Sequence, residues 1–174
     1  APKGVSVILH RTKQSRSYQT FVFDGWLGGF YASPNMQGTR SGLPMACAWA
    51  VMSHLGIEGY VDLTRQVLAN ADMFRAGVAE IDGIQVLGDG QFHLVSIAAD
   101  PMFEPEIDMF ALGDALLEKG WFHDRQTPPD SLHSTISNSN TGVIDDYLVD
   151  LAECVAAVAG THTDDRSTNY ATLE

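Results

Sequence analysis

The residues best suited to chemistry form one run, Gly38-Thr39-Arg40-Ser41-Gly42, directly ahead of an apolar segment with helical character. Backbone amides at a helix N-terminus, the Thr39 hydroxyl and local positive charge together make a cradle for a phosphate group. The same five residues can equally form a tight loop that holds nothing. The charge distribution bears on the choice. Lys3, Arg11, Lys13, Arg16 and Arg40 stand against Asp24 alone in the first forty residues, within a chain whose formal net charge is −12. An anionic ligand therefore prefers the first quarter of the chain, whereas a nucleic-acid surface as the main function is excluded by the repulsive field of the whole molecule.

Other constellations give less. His10, His54, His93, His123, His133 and His162 include no HExxH and no His/Cys cluster at zinc spacing, so they read as surface or core-edge residues. His123 and His133 stand apart because they flank the Pro128-Pro129 turn. Asp145-Asp146 falls at a helix start, where it complements the dipole, and Asp164-Asp165 lies in a solvated tail. Gly88-Asp89-Gly90 reads as a hairpin-type turn. Cys47 and Cys154 sit in apolar helical patterns, as buried reduced thiols of a cytosolic protein do. No apolar run approaches the roughly 20 residues that span a bilayer, and the start has no signal-peptide layout. The chain thus reads as soluble and cytoplasmic, with no nucleic-acid partner.

The elements that must position these residues follow from periodicity. The chain has 174 residues, 45% hydrophobic and 18% charged, enough for one sizeable core and unlike a disordered tail or a disulfide-stapled miniprotein. Val5 to Leu9 reads as a buried strand, and its want of neighbouring strands suggests the C-terminal part of a longer polypeptide, or a processed or truncated product. A basic polar stretch, His10 to Gln19, leads into an irregular loop dense in aromatics and glycines. A helix over Leu43 to Leu55 is apolar all round and so reads as buried on every side, in a domain interior or an oligomer interface. From Gly59, Tyr60, Leu63, Val67, Leu68, Ala71, Phe74 and Val78 recur at helical steps. Two strands (Ile84 to Leu87, Phe92 to Ala98), a helix (Ile107 to Lys119) stopped by Gly120, an extended piece (Trp121 to Arg125), a strand (Leu132 to Ile136) and a helix (Val143 to Ala159) complete an α+β layer with helices on one side of an antiparallel sheet. Beyond Gly160 the tail is polar and mobile.

Several separately spaced motifs then align with one family. Ala1-Pro2-Lys3-Gly4-Val5-Ser6, Tyr18-Gln19 and Trp26-x-Gly28-Gly29-x-Tyr31-Ala32-Ser33-Pro34-x-x-x-Gly38-Thr39-Arg40 closely resemble the sphingosine-1-phosphate lyases of the group II pyridoxal-phosphate decarboxylase superfamily. Trp49-Ala50-Val51-Met52, Gly56-x-x-Gly59-Tyr60-Val61, Lys119-Gly120-Trp121 and Pro128-Pro129-x-x-x-His133 follow in the same order, so that the similarity reaches to about residue 158.

The resemblance implies an α/β fold, that of a fold-type I pyridoxal-phosphate-dependent transferase. Residues 1–58 would end the large cofactor domain, 59–160 would form the small α+β C-terminal domain, and 161–174 would be a polar tail. In that family the lysine that carries the cofactor lies in a His-Lys pair just ahead of the Ala-Pro-Lys-Gly segment, outside this sequence. Lys3 matches a second active-site lysine, close to the cofactor and the substrate phosphate. Gly38 and Thr39 fall in a Gly-Ser-Arg motif whose hydroxyl contacts the pyridoxal 5'-phosphate of a neighbouring subunit, which implies a homodimer with a shared site. The implied reaction cleaves a phosphorylated long-chain base to a long-chain aldehyde and phosphoethanolamine. An amino-acid decarboxylase of the same superfamily and a non-catalytic dimerisation fragment are the alternatives. Relatives tend to have Gly-Ser-Arg-Pro-Gly; here Thr39 keeps the hydroxyl and Ser41 replaces the proline.

Overall fold

The computed structural model describes residues 4–171. The chain divides into two compact units, one ending at Tyr60 and the other beginning at Val61.

The first unit departs from expectation in three places. Val5 to Leu9 is not a strand: no strand pairs with it among the described residues, and without a ladder its apolar side chains stay exposed, Leu9 at 90%. The basic stretch instead holds a short helix, α1 (Lys13–Ser17), N-capped by the Thr12 hydroxyl, which accepts from the Ser15 amide at 3.0 Å. The aromatic stretch is not an irregular loop up to Ser33 but a hairpin, β1 (Phe21–Trp26) paired antiparallel with β2 (Gly29–Ser33). Its aromatics are strand formers that meet across the pair: the Phe21 and Trp26 rings lie 6.3 and 6.4 Å from that of Tyr31. Gly29, at φ 88°, closes the turn in a conformation other residues avoid.

Helix α2 (Gly42–Ala79) is broken at Gly56, whose φ of 61° and ψ of −176° lie outside any helical region. The segment before the break was expected to be buried on every side. Within this chain it is not: Leu43 and Trp49 are 71% and 69% exposed, Ala48 alone is buried, and Cys47 is half-buried. The described first unit has too little of its own chain to cover this helix.

The second unit holds the core. Its five-stranded sheet has the order β3 (Ile84–Val86), β4 (Leu94–Ala99), β6 (Ser131–Thr135), β5 (Asp124–Thr127), β7 (Tyr170–Ala171), antiparallel except where β7 joins β5. Ile97 and Leu132 point to one face, where they meet Phe74 and Val78 of α2, Leu112 and Leu116 of α3 (Met109–Glu118) and Leu151 and Val155 of α4 (Ile144–Val158). Each such side chain stabilises the unit by roughly 1.5–3 kcal/mol. Helix α4 lies close to α2: a Cβ at Gly77 would come within 2.2 Å of Leu148. The loop between β3 and β4 spans 87–93, so Gly88-Asp89-Gly90 is part of a longer connection and not a tight hairpin turn.

The tail is likewise not free. Arg166 bonds both oxygens of the buried Asp108 carboxylate, at 3.0 and 2.8 Å, and lies over the Phe110 ring at 4.3 Å from its centre. Asn169 brackets Arg125 through two backbone-directed bonds and leads into β7, while Asp165, expected in solvent, pairs with Arg125 at 3.3 Å. Among the described residues no helix is long and apolar enough to cross a membrane.

Candidate anion-binding site

Ser41 opens α2 by accepting from the Leu43 amide at 3.3 Å, and Pro44 in the first turn needs no partner for an N–H it lacks. This turns the end of the 34–41 segment toward the helix N-terminus. There a cleft of about 690 Å³ is lined by Gly4, Val5, Ser6, Gln37, Thr39, Arg40, Ser41, Pro44 and Met45. Hydroxyls, an amide and one guanidinium face it, and none of the lining residues is a carboxylate. Thr39 and Arg40 are both exposed. Gly38 is adjacent in the chain but does not line the cleft; a Cβ there would meet nothing within 4 Å and its φ is ordinary, so nothing inside this unit demands glycine at 38. Lys3 lies outside the described residues.

A second cleft of about 590 Å³ in the same unit continues along the chain from the first. Gln19, Phe21, Tyr31, Ser33, Pro34, Asn35 and Met36 line it, so that Met36 belongs to one cleft and Gln37 to the next. The hairpin supplies its aromatic walls, and Gln19 ties the two sides together by donating to the Pro34 carbonyl at 3.0 Å.

His123 and His133 both line one cavity of the second unit, by different contacts. Ser134 bonds His123 Nδ1 at 3.1 Å, whereas His133, its neighbour on β6, is opposite Ser96 and Asp124 on the other face of the sheet. His133 stacks edge-on against Tyr170. Burial pulls the His123 imidazole down to about 4, against the opposing pull of the His133 backbone and of Asp124. Among the described residues no group of three or more His, Cys, Asp or Glu could hold a metal ion. The sequence reading singled out His123 but not Tyr147, whose ring lies 5.4 Å from it; a tyrosine on the inner face of a helix carries no local mark of the cavity it will line.

The buried carboxylate is Asp108. Desolvation works to raise its pKa, but hydrogen bonds from the Phe110, Thr163 and Ala111 amides and from Arg166 outweigh it and hold the group below its ordinary value. Its work is structural, as the N-cap of α3.

No protein-family model matches the chain. Comparison with individual proteins is more telling. The chain is 35% identical over 158 residues to a sphingosine-1-phosphate lyase of Arabidopsis thaliana and 32% identical over 158 residues to that of Oryza sativa; both matches cover 91% of this chain and 28% of the relative. Among solved structures it is similar to the sphingosine-1-phosphate lyase of Burkholderia pseudomallei, at 30% identity and a TM-score of 0.72 over 84% of this chain and 32% of that one. A glutamate decarboxylase of Lactobacillus brevis, at 17% identity and a TM-score of 0.64, over 84% of this chain and 35% of that one, shares the fold alone. The chain thus spans under a third of the length of the lyases it matches. Within that span, the chain is similar in sequence and backbone to the sphingosine-1-phosphate lyases and has the fold-type I architecture of pyridoxal-phosphate enzymes.

Proposed function

We propose that this chain supplies the phosphate cradle of a pyridoxal-phosphate-dependent lyase that cleaves a phosphorylated long-chain base into a long-chain aldehyde and phosphoethanolamine. The observation that carries the reading is the pairing of two clefts in one unit: a carboxylate-free cleft with Thr39 and Arg40, followed along the chain by one walled by Phe21, Tyr31 and Met36. The first has donors suited to a dianionic phosphate. The second has apolar surface suited to a hydrocarbon chain.

The donor set fits the cofactor's phosphate. Thr39 would donate its hydroxyl, Arg40 would balance the charge, and the amides opening α2 would add the helix dipole. When bound, the cofactor supplies the electron sink into which the breaking C2–C3 bond of the substrate delocalises. Lys3, by resemblance, is the cation that holds the substrate phosphate near the reacting carbon. The exposed apolar face of α2 before Gly56 suits a homodimer in which the cradle of one subunit serves its neighbour, and the enzyme would act in the cytoplasm.

The test is product analysis of a complete enzyme containing this chain, supplied with pyridoxal phosphate and sphingosine 1-phosphate. Long-chain aldehyde and phosphoethanolamine are expected in equal amounts. Release of carbon dioxide from an amino acid with no aldehyde would assign the decarboxylase reaction instead.

A further inference from the structure

A cavity of about 200 Å³ in the second unit lies where β5, β6, the 3-10 turn Asn138–Asn140 and the start of α4 meet. Its walls are aromatic and fixed. Tyr147, 5% exposed, stacks on Phe74 at 5.4 Å and meets Trp121 edge-on at 5.3 Å, and Trp121 is anchored by donating its indole N–H to Asp150 at 2.7 Å. Three buried polar atoms on residues lining this cavity have no partner: the Tyr147 hydroxyl, His123 Nε2 and His133 Nδ1. Buried polar groups are almost always hydrogen-bonded, so three on one cavity ask for an occupant. The exposed Phe122 and Val143 at its rim leave a way in.

Three features narrow the occupant. An apolar cavity of about 150 Å³ accepts benzene, so this one has room for a single six-membered ring with a small substituent. Asp124 is the one charged residue in the lining, which disfavours anions and separates this cavity from the phosphate cradle. A hydroxyl both donates and accepts, so it satisfies His123 Nε2 whichever nitrogen carries the proton, and the Tyr147 hydroxyl as well.

We propose that this cavity binds a small uncharged hydroxyarene, a single aromatic ring bearing a hydroxyl, held by stacking on the Phe74, Trp121 and Tyr147 rings and by hydrogen bonds to His123 Nε2 and the Tyr147 hydroxyl.

The probes are phenol and benzene, titrated into the full chain at pH 7 and followed by the nitrogen resonances of the His123 ring and the Trp121 indole. Phenol is expected to shift both saturably. Tyr147→Phe, which removes only the hydroxyl, should weaken phenol roughly 2–10-fold while leaving benzene unaffected, and His123→Gln provides the second, independent reading. Absence of any shift with phenol, a water bound at both atoms that phenol fails to displace, or equal phenol affinity in the parent and both variants would overturn the proposal. None of these outcomes touches the phosphate cradle.

Discussion

At residue scale the decisive groups are a hydroxyl in the open and a carboxylate in the interior. Thr39 lines its cleft with no carboxylate nearby, so its proposed contact is a hydrogen bond to a charged phosphate. In a complete enzyme Thr39→Ala should weaken pyridoxal-phosphate retention by about 1–2 kcal/mol, and Thr39→Ser should restore it. Equilibrium dialysis against the cofactor reads this, and unchanged affinity in the alanine variant removes the contact. Asp108 behaves oppositely: its charge is used by the fold. Because its pKa is lowered on folding, the stabilisation is fully present above its ordinary value near 3.8 and is lost as pH falls through the lower folded value. Asp108→Asn should cost about 1–3 kcal/mol at pH 7, and urea midpoints of parent and variant should converge as pH falls through the lowered folded value.

At the scale of elements, two devices set the architecture. Gly56 turns α2 with a φ of 61° and an extended ψ, so Gly56→Ala should destabilise by about 1–3 kcal/mol in urea unfolding, the cost of forcing an L-residue into that region. If the break were incidental, alanine would instead stabilise by restoring helix propensity. Arg166 is the clasp that holds 161–171 against α3, through Asp108, Asp130 and the Phe110 ring. Arg166→Ala should free this segment, with amide hydrogen exchange at Tyr170 and Ala171 accelerating while that of Leu132 and Ile97 stays slow. Equal protection before and after would show that β7 pairs with β5 unaided.

At the scale of the whole molecule, apolar surface is unevenly distributed. The unit beginning at Val61 has a buried core that includes Phe74, Phe110 and Leu132, whereas that ending at Tyr60 exposes Phe21, Trp26, Phe30, Leu43 and Trp49. Large apolar side chains left exposed together are a common mark of a surface that another chain covers. A complete enzyme containing this chain is therefore expected to sediment as a dimer, and Trp49→Glu to shift it toward the monomer. A parent that stays monomeric at micromolar concentration would remove the shared-site arrangement from the proposed function.

Much of the second unit was written locally. The three- and four-residue recurrence through Ala71, Phe74 and Val78, Gly120 after α3 and the alternating strands each follow from periodicity or turn chemistry within a few residues, and the structure places them there. The run Gly38 to Gly42 stands out in the sequence because it is contiguous, and the structure places Thr39, Arg40 and Ser41 of it on one cleft. What only the tertiary structure decided depends on partners distant in sequence. Whether Val5 to Leu9 becomes a strand rests on a neighbour it lacks, whether the polar tail is held rests on Asp108 more than fifty residues upstream, and whether His123 meets Tyr147 rests on α4 packing against the sheet. A side chain's type sets what it can bond to, but the fold brings the partner within reach.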